Sequence, residues 1–144
     1  MNIIKSIAII FAVALLPANH ALAGTYTDNL TRCLADSTTG KDRKDLGRWI
    51  FSLMSLNPYV ASIAPVKKSD RESATRTAAT IYRRLLAQDC KKEVKDTIEH
   101  EGNDALKAGL DTLGKLAIQE LMSDPNVQKA AADFGKYISK PDSE

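Results

Sequence analysis

An all-α fold, a compact bundle of four to five helices stapled by one disulfide, is what the sequence predicts. Three observations carry that reading. Apolar residues recur at spacings of three and four along nearly the whole chain after residue 23. No run alternates with period two over enough β-branched residues to build a sheet. Two cysteines, Cys33 and Cys90, stand in the same stretch and can tie two helices together.

The chain opens with a leader. Lys5 supplies a positive charge, an uninterrupted apolar run follows from Ile7 to Leu16, and Pro17 ends it. Ala21-Leu22-Ala23 then forms the A-x-A cleavage pattern, which places the cut between Ala23 and Gly24. The apolar run is half the roughly 20 residues a spanning helix needs, so it reads as a cleaved signal peptide over 1–23. A lipid-modified terminus would need a Cys directly behind the run. The first one, Cys33, comes far later and follows Leu30-Thr31-Arg32. The expected product is periplasmic or secreted, with no stable membrane anchor after cleavage.

The remaining 121 residues fit a single helical domain over 24–144. Without Lys5, 19 basic residues face 18 acidic ones, a formal charge of +1. Such balance argues against nucleic acid as a partner, because that needs a concentrated basic face. The two cysteines lie 57 apart. Redox enzymes usually hold theirs as Cys-x-x-Cys, so an intramolecular bridge is favoured over a reactive pair. Loop-closure entropy gives such a bridge a worth of about 4 kcal/mol.

Element by element, Tyr26, Leu30, Cys33 and Leu34 share a face and predict a first helix ending near Asp36. Ser37-Thr38-Thr39-Gly40 is a turn rich in capping hydroxyls. Leu46, Trp49, Ile50, Leu53 and Met54 predict a second helix from about Lys41 to Leu56, stopped by Asn57-Pro58. Residues 57–68 are a connector whose Tyr59, Val60, Ile63 and Val66 are expected to pack a short turn onto the core. Ser69-Asp70-Arg71-Glu72 reads as a capping box opening the longest helix, about 70 to 100. Its apolar line is Ala78, Tyr82, Leu86, Cys90, Val94 and Ile98. Gly102-Asn103 breaks it. Leu106, Leu110, Leu113, Ala117 and Leu121 mark a fourth helix, where Gly109 and Gly114 are expected to let a neighbour approach. Asp124-Pro125 caps a short fifth helix with Val127, Ala131, Phe134 and Ile138 on one face. The tail over 139–144 is expected to fray.

Chemistry-bearing patterns are sparse. Glu99-His100-Glu101-Gly102-Asn103-Asp104 holds the only His after the leader. His100 and Asp104 are the candidate metal ligands there, or His100 a base beside a carboxylate. Catalytic zinc usually takes three protein ligands, and no His-Glu-x-x-His is present. A His near a helix C-terminus also suits the dipole without any ligand. Gly40-Lys41 lacks the earlier Gly and the following hydroxyl of a phosphate loop. No Gly-x-Ser-x-Gly occurs, and one His allows a single base for any triad. Asn29-Leu30-Thr31 matches a glycosylation acceptor but falls inside a predicted helix. No cofactor is implied.

The densest charged stretch is Lys41-Asp42-Arg43-Lys44-Asp45-Leu46-Gly47-Arg48-Trp49. Lys44 and Arg48, four apart, share a face away from Leu46, Ile50 and Leu53. That face is the candidate interaction surface, suited to acidic side chains. Its alternative is an ordinary solvated face with Trp49 in the core.

Cys33-Leu34, Thr38-Thr39, Asp42-Arg43 and Arg48-Trp49-Ile50, followed by Met54 and Pro58, resemble a family of small exported Gram-negative proteins of uncharacterised function. The likeness extends through Cys90 to Leu113-Gly114. It implies export and paired cysteines and transfers no catalytic residue. Taken together, the sequence points to a non-enzymatic binding protein of the envelope with a protein partner: an adaptor, an inhibitor or an immunity-type partner. Two alternatives stay open. One is a small hydrolase or metal-dependent enzyme centred on His100, and the other is a carrier of an apolar ligand in a cavity between helices.

Overall fold

A computed structural model describes residues 24–138. The signal peptide assigned to 1–23, with Ala23 before its cut, and the frayed tail assigned to 139–144 lie outside the described residues. The helices are α1 (Thr25–Ser37), α2 (Gly40–Met54), α3 (Pro58–Ala61), α4 (Lys68–Arg84), α5 (Lys91–Glu101), α6 (Asn103–Met122) and α7 (Pro125–Ile138). No strand occurs among the described residues. The count exceeds four to five because the connector holds its own turn, α3, and because the long third helix is divided.

Local chemistry sets several of the boundaries. Thr39 caps α2: its hydroxyl accepts from the Asp42 amide (3.1 Å), while the Asp42 carboxylate accepts from the Thr39 amide (2.9 Å). Asp124 caps α7 by accepting from the Asn126 amide (2.8 Å). Gly102, at φ +85°, takes the turn from α5 into α6 that a residue with a Cβ would resist.

The capping box expected at Ser69–Glu72 does not form. Helix α4 starts at Lys68, with Lys67 at its N-cap and no side-chain cap. Arg71 holds this first turn instead, donating from Nε to the Ser52 carbonyl and from Nη2 to the Val66 carbonyl, both at 3.2 Å. Ser69 therefore lies inside the first turn rather than ahead of it.

The rod expected from 70 to 100 is likewise interrupted. Leu85–Asp89 is a π-helical turn, closed by the Cys90 amide donating to the Leu85 carbonyl at 2.8 Å. A strict spacing of four drifts by about 40° per step on a regular helix. The buried line instead runs Ala74, Ala78, Ile81, Leu85 and then Cys90, a final step of five. The inserted residue swings Cys90 back onto the face of Leu85. Tyr82 and Leu86, expected on the line, are only partly buried, and Ile98 is 40% exposed.

Helix α6 packs against α1, α2 and α5, and α4 packs against α2. The core gathers Leu30 and Leu34 of α1, Leu46 of α2, Ala78 and Ile81 of α4, then Leu85 and Cys90, and Leu113 and Ala117 of α6. At Gly109 a Cβ would lie 2.7 Å from a Leu30 methyl, so the missing side chain lets α1 approach α6 as the sequence implied. Gly114 has nothing within 4 Å and plays no such part. Trp49 packs edge-on against Tyr82, centroids 6.1 Å apart, which places it against the core. The Cys33–Cys90 disulfide forms, with the two Cα atoms 5.9 Å apart, and ties α1 to the residue that opens α5.

Two apolar segments stay largely uncovered. Of the connector residues expected to pack, Tyr59 is 89% exposed and Ile63 84%, while Val60 and Val66 are half-buried. No residue of α7 is buried, and its Phe134 and Ile138 face outward. The helical period of each segment is real, but the core is already closed by α6 over α1 and α2.

Candidate functional site

The Glu99–Asp104 stretch lies where α5 meets the start of α6, beside the N-terminus of α1. Glu101 is its working residue. Oε1 accepts from the Tyr26 amide (2.9 Å), and Oε2 accepts from the Thr27 amide (2.9 Å) and the Thr27 hydroxyl (2.6 Å). A carboxylate from α5 thus satisfies amides that open α1, which has no side-chain cap of its own. The Thr27 hydroxyl, then the two amides and neighbouring His100, hold the Glu101 carboxyl below its ordinary range, against partial burial that pushes it up. Fully buried Thr97 donates to the Tyr26 carbonyl at 3.1 Å. His100 stacks on Tyr26, ring centroids 4.2 Å apart and planes 15° from parallel.

That geometry gives the stretch a structural role. His100 is engaged with an aromatic ring, and Asp104 is exposed in the first turn of α6. No group of three or more His, Cys, Asp or Glu among the described residues is placed to share a metal ion. Sequence reading singled out His100 and Asp104 and passed over Glu101. The signal for Glu101 lay in α1 rather than α5: Gly24 is an N-cap with no side chain, so its helix must find its acceptor elsewhere.

A second polar cluster stitches α1, α2 and the π turn. Arg84 donates to the Ser37 carbonyl (3.2 Å), pairs with Asp42 (2.8 Å) and also contacts Asp89. Burial pushes the Asp42 carboxyl up, but the Thr39 amide and hydroxyl and the Arg84 guanidinium outweigh it and leave it lowered. Arg43 donates to the Ala35 carbonyl at 3.0 Å. Asp42 and Arg43 are thus engaged at the α1–α2 corner, while Lys41 pairs with Asp45 along α2 at 2.6 Å.

Lys44 and Arg48 remain exposed on α2. Lys44 sits 3.8 Å from Glu120 of α6. Arg48 borders a recess of about 220 Å³ shared with Phe51, Pro65, Val66 and Asp70. A larger groove of about 340 Å³ runs between α1 and α5, past Tyr26, Arg32, Cys33, Lys92 and Asp96. Its lining is charged, unlike a pocket for an apolar ligand.

Besides Ile98, Ile118 and Met122, large apolar side chains are exposed along two longer stretches. Phe51, Leu53, Met54, Leu56, Tyr59 and Ile63 run from the end of α2 through α3, and Val127, Phe134, Tyr137 and Ile138 lie along α7. No helix among the described residues is long and apolar enough to cross a membrane. No family model, characterised protein or solved structure matches the chain.

Proposed function

We propose that the chain is exported, cleaved between Ala23 and Gly24, and acts in the envelope as a non-enzymatic binding protein: an adaptor, an inhibitor or an immunity-type partner. The observation that carries this reading is the apolar surface at the end of α2 and in α3. Tyr59 and Ile63 stand almost fully in solvent, and Met54 and Leu56, just before them in the chain, are exposed as well. Contiguous exposed apolar surface on a small domain marks an interaction site. Lys44 and Arg48 precede it on the same helix, so the partner it suits is a protein presenting acidic side chains around an apolar contact. The Cys33–Cys90 bridge fits an oxidising compartment, and the family resemblance points to the same address.

The test uses protein exported from the full chain and immobilised against envelope extract. A retained partner should be released progressively as salt rises. It should be lost from a Tyr59→Ser/Ile63→Ser variant whose melting temperature is unchanged. Equal retention by that variant would remove this surface from the reading.

A further inference from the structure

We propose that processing completes the fold: the α-ammonium group that cleavage leaves on Gly24 joins the Glu101 carboxylate as an ion pair that the precursor lacks. The inference rests on the export reading above, and on the packing of Gly24 against α5.

A Cβ placed on Gly24 would lie 2.0 Å from Glu101 Oε1 and 2.2 Å from its Cδ. Glycine is therefore the residue that lets this carboxylate reach the start of α1. Standard backbone geometry puts a residue's nitrogen about 2.5 Å from its own Cβ position. The Gly24 nitrogen is thus no more than about 4.5 Å from Oε1, whichever way it points.

The hydrogen bonding leaves room for it. A carboxylate oxygen offers two lone pairs. Oε2 has both engaged, by the Thr27 amide and hydroxyl. Oε1 has one, engaged by the Tyr26 amide. The oxygen nearest Gly24 is the one with capacity to spare.

Cleavage changes what faces it. Hydrolysis of the Ala23–Gly24 amide by a signal peptidase adds water across the bond. The hydroxyl goes to the Ala23 carbonyl carbon, and the electron pair of the broken bond stays on the Gly24 nitrogen. That nitrogen takes up the water's remaining proton to become an amine, then a second proton, the one the new Ala23 carboxyl group releases, and is an ammonium below about pH 8. A neutral amide before the cut becomes a cation after it, within reach of a fixed anion. Before cleavage Glu101 caps α1 alone; afterwards it also holds the new terminus, so the mature fold outlasts the precursor fold.

The experiment exports the full chain and a second form with one Gln inserted between Ala23 and Gly24. Gln is too large for the last position before the cut, so cleavage stays after Ala23 and the ammonium moves one residue away. N-terminal sequencing verifies both products, and each is also made with Glu101→Gln. The insertion should lower Tm by about 2–5 °C when Glu101 is present and by less than about 1 °C with Glu101→Gln. In about 1 M salt the difference seen with Glu101 should shrink by roughly half, a readout that does not depend on the Glu101→Gln forms folding. Equal shifts with and without Glu101, or a difference indifferent to salt, overturn the inference while export stands. A terminus found at Met1 removes the export reading and this inference together.

Discussion

Where α1 meets α5 and the π turn, specific links tie the helices together: the Cys33–Cys90 bridge, the Glu101 cap, the Arg84 contacts. From the last turn of α2 through α3, and again along α7, large apolar side chains face solvent. The two regions share helical periodicity and capping chemistry. They differ in whether another helix covers them. Amphipathicity makes a helix eligible for burial, and the core decides whether it is taken up. Here α6 already fills the space over α1 and α2. The stitched region is where stability resides, and the uncovered ones are where substitutions should leave it untouched.

The largest effect that separates them is loss of the bridge. Cys33→Ser/Cys90→Ser should cost about 4 kcal/mol in denaturant unfolding, because the closed loop is long and Cys90 is fully buried. A loss below about 1 kcal/mol would show that the α1–α5 contacts hold without it. Next comes Leu113→Ala, at a side chain with no exposure in the middle of α6. It should cost about 3 kcal/mol as a cavity opens between α6, α1 and α2. A cost near that of a surface change would mean that α6 is not the centre of the core.

Acid should loosen the stitched region first. The Glu101 carboxyl titrates below its ordinary value in the fold, so its contribution is fully present above the unfolded value of about 4.5 and is lost as pH falls through the lowered one. Asp42 is lowered as well and adds to the same limb. Between about pH 5 and 3, Tm should therefore fall further in the wild type than with Glu101→Gln, by about 2–4 °C. Parallel curves would mean that the carboxylate contributes no more than a neutral acceptor.

Much of the stitched region was legible in the sequence. The two cysteines, the hydroxyl-rich turn before α2 and Asp124-Pro125 each carry local chemistry that needs no tertiary knowledge. The π turn was not legible, because a spacing-four line through Ala78, Tyr82 and Cys90 looks like any helix stripe. Only the demand that Cys90 and Leu85 face α1 together calls for an extra residue. Ser69–Glu72 shows the reverse error: a good local signal lost to Arg71 and its two carbonyls. The role of Glu101 depends on a helix more than 70 residues away in sequence, which no window along α5 contains. Exposure of Tyr59, Ile63 and α7 was equally hidden, since period reports a face and not a neighbour.

The smallest expected effect probes α7, and its smallness is the point. Phe134 and Tyr137 lie one turn apart on a helix with no buried residue, whose neighbour in the bundle is α6. An apolar side chain that covers nothing in the folded state loses no burial when replaced. Phe134→Ser/Tyr137→Ser should therefore change unfolding free energy by no more than about 0.5 kcal/mol, the range of surface substitutions. Helix propensity changes little, because Ser, Tyr and Phe rank close together. The same double substitution in a partner-binding assay asks whether α7 belongs to the interaction surface with Tyr59 and Ile63. Loss of binding with stability kept would join the two patches into one surface. Binding kept would confine it to α2 and α3. A loss of 2 kcal/mol or more in stability would instead show that α7 folds back over the bundle in solution, and the contrast between covered and uncovered helices would have to be redrawn.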